Sequence, residues 1–117
     1  MLNSLQSHPI LLYQNPIDMR KSIDGLALLV TEHFDSAPTS GSLYVFCNRA
    51  KDKVKILYWD RNGFCLWYKR LEQEQFCISY SSSGVAQLSQ QQLGWLLDGL
   101  DYKAIQGHKS LTYSTFY

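Results

Sequence analysis

The residues best suited to chemistry in this sequence are basic side chains interleaved with aromatic rings between Leu43 and Leu71. This segment has a local net charge of +5 and the rest of the chain −4, so a formal total of +1 hides a polarised molecule. Cations contact phosphates and flat rings stack on bases, so the segment suits a nucleic acid. The alternative is a buried hairpin whose solvated lysines discourage aggregation. The basic residues are Arg49, Lys51, Lys53, Lys55, Arg61, Lys69 and Arg70.

No motif of a catalytic, metal or nucleotide site is found. The sequence lacks a P-loop, a GxSxG nucleophile elbow and an HExxH zinc motif. Cys47, Cys65 and Cys77 form no CxxC pair and lie far from the histidines, which predicts reduced thiols rather than a zinc site. Asp18 and Asp24 would point in nearly opposite directions on a helix, which argues against an acid–base pair. We therefore predict a non-catalytic protein without a metal or cofactor.

The length of 117 residues predicts a single domain, residues 1–117, with residues 103–117 as a loosely ordered tail or a short edge strand. No apolar run is long enough to cross a bilayer, and the N-terminus does not resemble a signal peptide. The expectation is a cytoplasmic protein without a membrane partner, associated with the nucleoid if it binds DNA.

Two helices are predicted from apolar spacing. The first covers about 16–34, where Asn15 can cap the start and Pro16 suits the first turn. The second covers about 89–98, where Ser89 and Gln92 resemble a capping box before a leucine stripe. The apolar face of the first helix comprises Met19, Ile23, Leu26, Ala27, Val30 and Phe34.

Strands are predicted at 10–13, 43–47, 54–59, 64–71 and 76–80, and Asn62-Gly63 is the strongest hairpin turn signal. That turn would place Trp59 and Tyr68 together in the middle of one face, with basic residues at the end away from the turn. The more apolar opposite face would pack on the helices. The predicted fold is α+β: an antiparallel sheet of four to five strands, with a meander near 43–80 and both helices on one face.

Three stretches resemble one protein family: PIDMRKSIDGL (16–26), VFCNRAKDKVKILYWDRNGFCLWYKRLE (45–72) and QLGWLLDGLD (92–101). The family is the TnpB-type accessory protein encoded by the second open reading frame of bacterial insertion sequences of the IS66 class. The resemblance covers most of residues 10–102. It implies a protein of a mobile DNA element that acts beside a separate transposase. After the hairpin the chain departs from the family, since residues 74–80 lack a basic residue and a proline.

The resemblance favours DNA as the partner of the basic segment, with Arg20 and Lys21 as a second candidate patch. The alternative is a protein-interaction module that docks on the transposase or self-associates as a homo-oligomer. In both cases Trp59 and Tyr68 are the candidate stacking or interface residues, since aromatic residues commonly anchor interfaces.

Overall fold

The chain forms five strands and three helices over residues 8–81 and 84–107, which are the residues described by the structure, a computed structural model. The elements are β1 (Ile10–Tyr13), α1 (Ile23–His33), β2 (Leu43–Cys47), β3 (Lys53–Asp60), β4 (Gly63–Arg70), β5 (Val85–Leu88), α2 (Gln90–Leu97) and α3 (Tyr102–Gly107).

The strands form one sheet in the order β4-β3-β2-β1-β5. Strands β2, β3 and β4 form the predicted antiparallel meander, and β5 pairs antiparallel with β1. Among the strands of the described residues, only the neighbours β1 and β2 are parallel, because α1 lies between them and returns the chain to the starting end of the sheet. The α+β class and the sheet of four to five strands are confirmed, and the sheet is mixed rather than wholly antiparallel.

The helices cover opposite faces of the sheet, so the prediction that both lie on one face is wrong. Leu26 and Val30 of α1 pack with Tyr44 of β2, whereas Leu93 of α2 packs with Val45, the next residue along that strand. Successive strand side chains point to opposite faces. Every residue of β2 (LYVFC) is buried, as expected for a central strand covered on both sides.

Helix α1 begins at Ile23 with Ser22 as its N-cap, not near residue 16 as predicted. The preceding residues run beside the sheet instead. Ile17 forms an isolated parallel bridge with Asn48, and its N–H donates to the Cys47 carbonyl at 3.0 Å. This tertiary pairing holds the segment outside the helix.

The hairpin turn lies one residue earlier in the sequence than predicted. Asp60 pairs with Gly63, so Arg61 and Asn62 occupy the turn. The Asn62 N–H donates to the Asp60 carbonyl across Arg61, whose φ is +57°. Each β3 residue therefore pairs with a β4 residue two positions earlier than predicted. Because side chains alternate with a period of two, every residue of the hairpin stays on its predicted face of the sheet.

The predicted strand at 76–80 is an extended segment outside the sheet, and β5 supplies the remaining strand. Phe76 and Ile78 are buried while Cys77 and Ser79 are exposed, which explains the strand-like pattern.

Helix α2 agrees with the predicted 89–98, and Ser89 forms the expected capping box. Of the predicted tail, residues 103–107 belong to α3, and residues 108–117 lie outside the described residues.

Candidate nucleic-acid interface

Three segments meet at the end of the sheet away from the hairpin turn: residues 17–21, 48–53 and 70–72. The Ile17–Asn48 bridge joins the first two, and a hydrogen bond of 2.8 Å from the Leu71 N–H to the Asp52 carbonyl joins the last two. We call this region, together with Lys55, the basic end. Its basic residues are Arg20, Lys21, Arg49, Lys51, Lys53, Lys55 and Arg70, and its acids are Asp18, Asp52 and Glu72.

Asn48 organises the loop that carries three of these cations. Its side-chain oxygen accepts hydrogen bonds from the N–H groups of Asp52 and Lys53, at 3.1 and 3.0 Å. Its amide nitrogen donates to the Asp52 carboxylate at 2.7 Å, and this bond lowers the pKa of Asp52. Asparagine suits such turns because its side chain can substitute for backbone partners.

The residues after the hairpin hold the same loop from behind. The Phe76 N–H donates to the Lys51 carbonyl at 2.6 Å, and the Gln75 side chain donates to the Ala50 carbonyl at 2.8 Å. The Tyr80 hydroxyl donates to the Asn48 carbonyl, and the Lys51 Nζ lies 5.2 Å from the centre of the Tyr80 ring. The loop therefore presents its cations from a fixed backbone.

Lys55 ties the segment before α1 to the sheet. Its Nζ donates to the carbonyls of Met19 and Lys21, at 2.7 and 2.8 Å. Asp18 in that segment forms a salt bridge of 2.7 Å with Arg20, whose hydrogen bonds lower the pKa of the Asp18 carboxyl to about 2. Lys55 thus brings the Arg20–Lys21 patch, predicted as a separate site, alongside the 48–53 loop.

Four cations of the basic end are exposed to solvent: Arg20, Lys21, Arg49 and Arg70. Arg20 pairs with Asp18, and Arg70 with Glu72 at 2.9 Å, but both pairs are exposed to solvent and therefore weak, so a phosphate can replace the carboxylate. Lys53 is half-buried and lies 3.3 Å from the Asp52 carboxylate. The exposed set is therefore available to a polyanion.

Two of the predicted basic residues lie elsewhere. Lys69 is on the α2 face, where its Nζ donates to the Leu97 carbonyl at the end of α2, at 2.7 Å. Arg61 is at the hairpin turn, about 23 Å from the basic end if the seven steps of β3 rise 3.3 Å each. The seven cations of the 43–71 segment therefore do not share one face.

Trp59 and Tyr68 also lie apart. Trp59 pairs with Phe64, and their ring centres are 5.0 Å apart in a T-shaped contact. Tyr68 pairs with Lys55, whose Nζ lies 5.8 Å from its ring centre, and it is 48% exposed. The four residue steps along β3 from position 55 to position 59 put about 13 Å between the positions of the two rings. Tyr68 borders the basic end, and Trp59 borders the hairpin tip.

The described residues contain no group of three or more histidine, cysteine, aspartate or glutamate side chains able to hold a metal ion. None of the helices in the described part is long and apolar enough to cross a membrane. The three cysteines are free, and burial raises the pKa of the Cys47 thiol.

Comparison with known proteins identifies the class as proteins associated with insertion sequences. The chain belongs to the IS66 Orf2-like protein family, whose model, TnpB_IS66, matches residues 8–107. Two similar proteins come from Sinorhizobium fredii (strain NBRC 101917 / NGR234). The uncharacterized protein y4hO is 34% identical over 103 residues, covering 88% of this chain and 90% of the relative. The uncharacterized protein y4jC is 29% identical over 97 residues, 83% of each chain. No solved structure matches the chain.

Proposed function

We propose that this protein is a non-catalytic accessory factor of insertion-sequence transposition that binds duplex DNA through the basic end. The observation that carries the proposal is the meeting of residues 18–21 with the 48–53 loop, two segments that are distant in the sequence. The Ile17–Asn48 bridge and the Lys55 hydrogen bonds to the Met19 and Lys21 carbonyls hold these segments on the sheet. Membership of the IS66 Orf2-like family supplies the DNA context.

The basic end contacts the phosphate backbone rather than the base edges. Its exposed cations project from turns, from an irregular segment and from the last residue of β4, and none of them lies on a helix that could enter a groove. Contacts of this kind position a protein on DNA without reading sequence. Sequence selection at the element ends then falls to the transposase of the same element, which we propose as the protein partner.

Fluorescence anisotropy with a labelled, blunt element-end duplex tests this function. The double variant Lys21→Ala/Arg49→Ala removes two exposed cations that form no salt bridge among the described residues, and it should weaken binding at low ionic strength. Arg61→Gly is the matched control, because it removes an exposed cation at the opposite end of β3. An equal loss of binding free energy per charge removed in the two proteins would show that binding follows total charge, and no binding by the wild type would refute the proposal.

Docking on a protein is the second candidate function, favoured by the free edge of β4. Strand β4 is the outermost strand on its side of the sheet and runs for eight residues. The Leu71 N–H donates inward to Asp52, so by the alternation of an antiparallel ladder the N–H groups of Leu66 and Tyr68 point to the free edge. An added strand from the transposase, or from a second copy of this chain, would pair there.

Proline at an outward-pointing position tests the edge while leaving the β3–β4 hydrogen bonds in place. A pull-down with the transposase that survives high salt and fails for Leu66→Pro would support docking through β4. A pull-down unchanged by Leu66→Pro would exclude this edge as the contact, and a monomeric protein without capture would exclude the function.

A further inference from the structure

A cavity of about 350 Å³ lies at the hairpin tip, at the opposite end of β3 from the basic end. Its walls are His8, the turn residues Thr39 to Gly41, and Trp59 to Arg61 of the hairpin. We call it the hairpin-tip pocket. The volume is at the lower end of the range for sites that hold small organic ligands.

The walls of the pocket are held in place by their own contacts. Phe64 packs against Trp59 in the T-shaped contact and fixes the indole. Ser40 forms a hydrogen bond of 2.8 Å with the Tyr44 hydroxyl, which also donates to the Ala37 carbonyl. Gly41 has a φ of +92°, and a Cβ atom there would lie 3.1 Å from the His8 ring. Glycine is therefore needed for the imidazole to close this wall.

Arg61 adopts an unfavourable backbone conformation at the mouth of the pocket. Its φ of +57° lies in the left-handed region, although Asn62 and Gly63, which tolerate that region better, follow immediately. Backbone strain of this kind often accompanies binding sites. Arg61 lines the pocket together with Trp59 at this turn.

We propose that the hairpin-tip pocket binds one unpaired nucleobase of a single-stranded DNA tail. The inference rests on the proposed DNA binding and adds a second contact to it. Trp59 supplies the stacking surface, and the Arg61 guanidinium contacts the adjoining phosphate. These two groups match the apolar face and the anion of a nucleotide.

The distance between the two sites sets the tail length. A duplex held at the basic end lies about 23 Å from the pocket along β3. A single strand with the stacked rise of 3.4 Å per nucleotide spans that distance in about seven nucleotides. A ten-nucleotide tail should therefore reach the pocket, and a two-nucleotide tail should not.

Anisotropy titrations with a blunt duplex and with the same duplex carrying two- or ten-nucleotide tails test the inference. The long tail should tighten wild-type binding about tenfold over the blunt duplex, the scale of one base–aromatic stack. Trp59→Ala should abolish that gain, Trp59→Phe should retain most of it, and Arg61→Gly should reduce it. All three variants should bind the blunt duplex as the wild type does.

A second readout uses 2-aminopurine in the distal half of the long tail, whose fluorescence should be quenched by the wild type and by Arg61→Gly but not by Trp59→Ala. Circular dichroism confirms that each variant is folded, and Arg61→Gly keeps the test valid if Trp59→Ala unfolds. If the wild type binds blunt and long-tailed duplexes equally well, nucleobase binding at the hairpin-tip pocket is refuted, and duplex binding at the basic end still stands. A tail gain that survives both Trp59→Ala and Arg61→Gly also refutes nucleobase binding at the pocket. Failure of every duplex to bind removes both proposals.

Discussion

Lys55 should stabilise the protein through its two carbonyl partners rather than through its charge. Lys55→Met removes the hydrogen bonds to Met19 and Lys21, of 2.7 and 2.8 Å, and keeps most of the apolar stem. A hydrogen bond to a charged group contributes about 1.5–3 kcal/mol when it is shielded from water. The Met19 contact is partly buried and the Lys21 contact is exposed, so we expect a total loss of about 2–3 kcal/mol.

The assay is equilibrium urea unfolding followed by tryptophan fluorescence. Lys53→Met is the matched control, because Lys53 is a neighbouring half-buried lysine whose partner is the Asp52 carboxylate, at 3.3 Å. An ion pair at this exposure contributes about 0–1 kcal/mol. The loss in Lys55→Met should persist at high salt, since carbonyl hydrogen bonds are not screened as separated charges are.

Lys55→Met should also weaken DNA binding by more than the loss of a single charge would. Without Lys55 the 17–21 segment loses its anchor on the sheet, so Arg20 and Lys21 no longer hold their position beside the loop. Lys55→Met should therefore weaken DNA binding more than Lys53→Met. Unfolding free energies for the two variants that agree within about 0.5 kcal/mol would refute the reasoning, because that is the level of ordinary surface substitutions.

Three further predictions concern single positions. Lys69→Met should lower the free energy of unfolding by about 1–2 kcal/mol in the same urea assay, because the Leu97 carbonyl loses its donor; no change would show that water replaces it. Arg61→Gly should raise that free energy by about 1 kcal/mol by relieving the left-handed backbone, and a lower value would contradict the assigned turn. Iodoacetamide at pH 8 should alkylate exposed Cys77 before buried Cys47, read by mass spectrometry. Burial raises the Cys47 pKa, so its thiolate appears only at higher pH, and equal rates at the two cysteines would contradict this assignment.

The faces of the hairpin could be predicted from the sequence, but the neighbours across it could not. Alternation along β3 and β4 survives a shift of two residues, so Trp59 and Tyr68 were correctly placed on one face. Their cross-strand partners depend on which residues form the turn. Asn62-Gly63 is a strong turn signal, and only the structure shows that Arg61 takes the left-handed position instead.

The predicted start of α1 was wrong for a different reason. Asn15 and Pro16 are good local signals for a helix start, but Ile17 pairs with Asn48 and Lys55 binds the carbonyls that follow. Both partners are distant in the sequence, so local propensity could not reveal them. The candidate site was predicted in part: the local charge indicated the 48–53 loop, and the DNA-binding hypothesis added the Arg20–Lys21 patch, but neither revealed that the two segments meet.

The most direct test of DNA binding through the basic end is the salt dependence of binding to a blunt duplex. Four exposed cations, each neutralising one phosphate, predict a slope of log K against log salt of about −3.6, or about 150-fold weaker binding between 50 and 200 mM salt. Arg49→Ala should make the slope less steep by about 0.9, and Arg61→Gly should leave it unchanged. A wild-type slope near zero, or a slope altered equally by the two variants, would contradict the account.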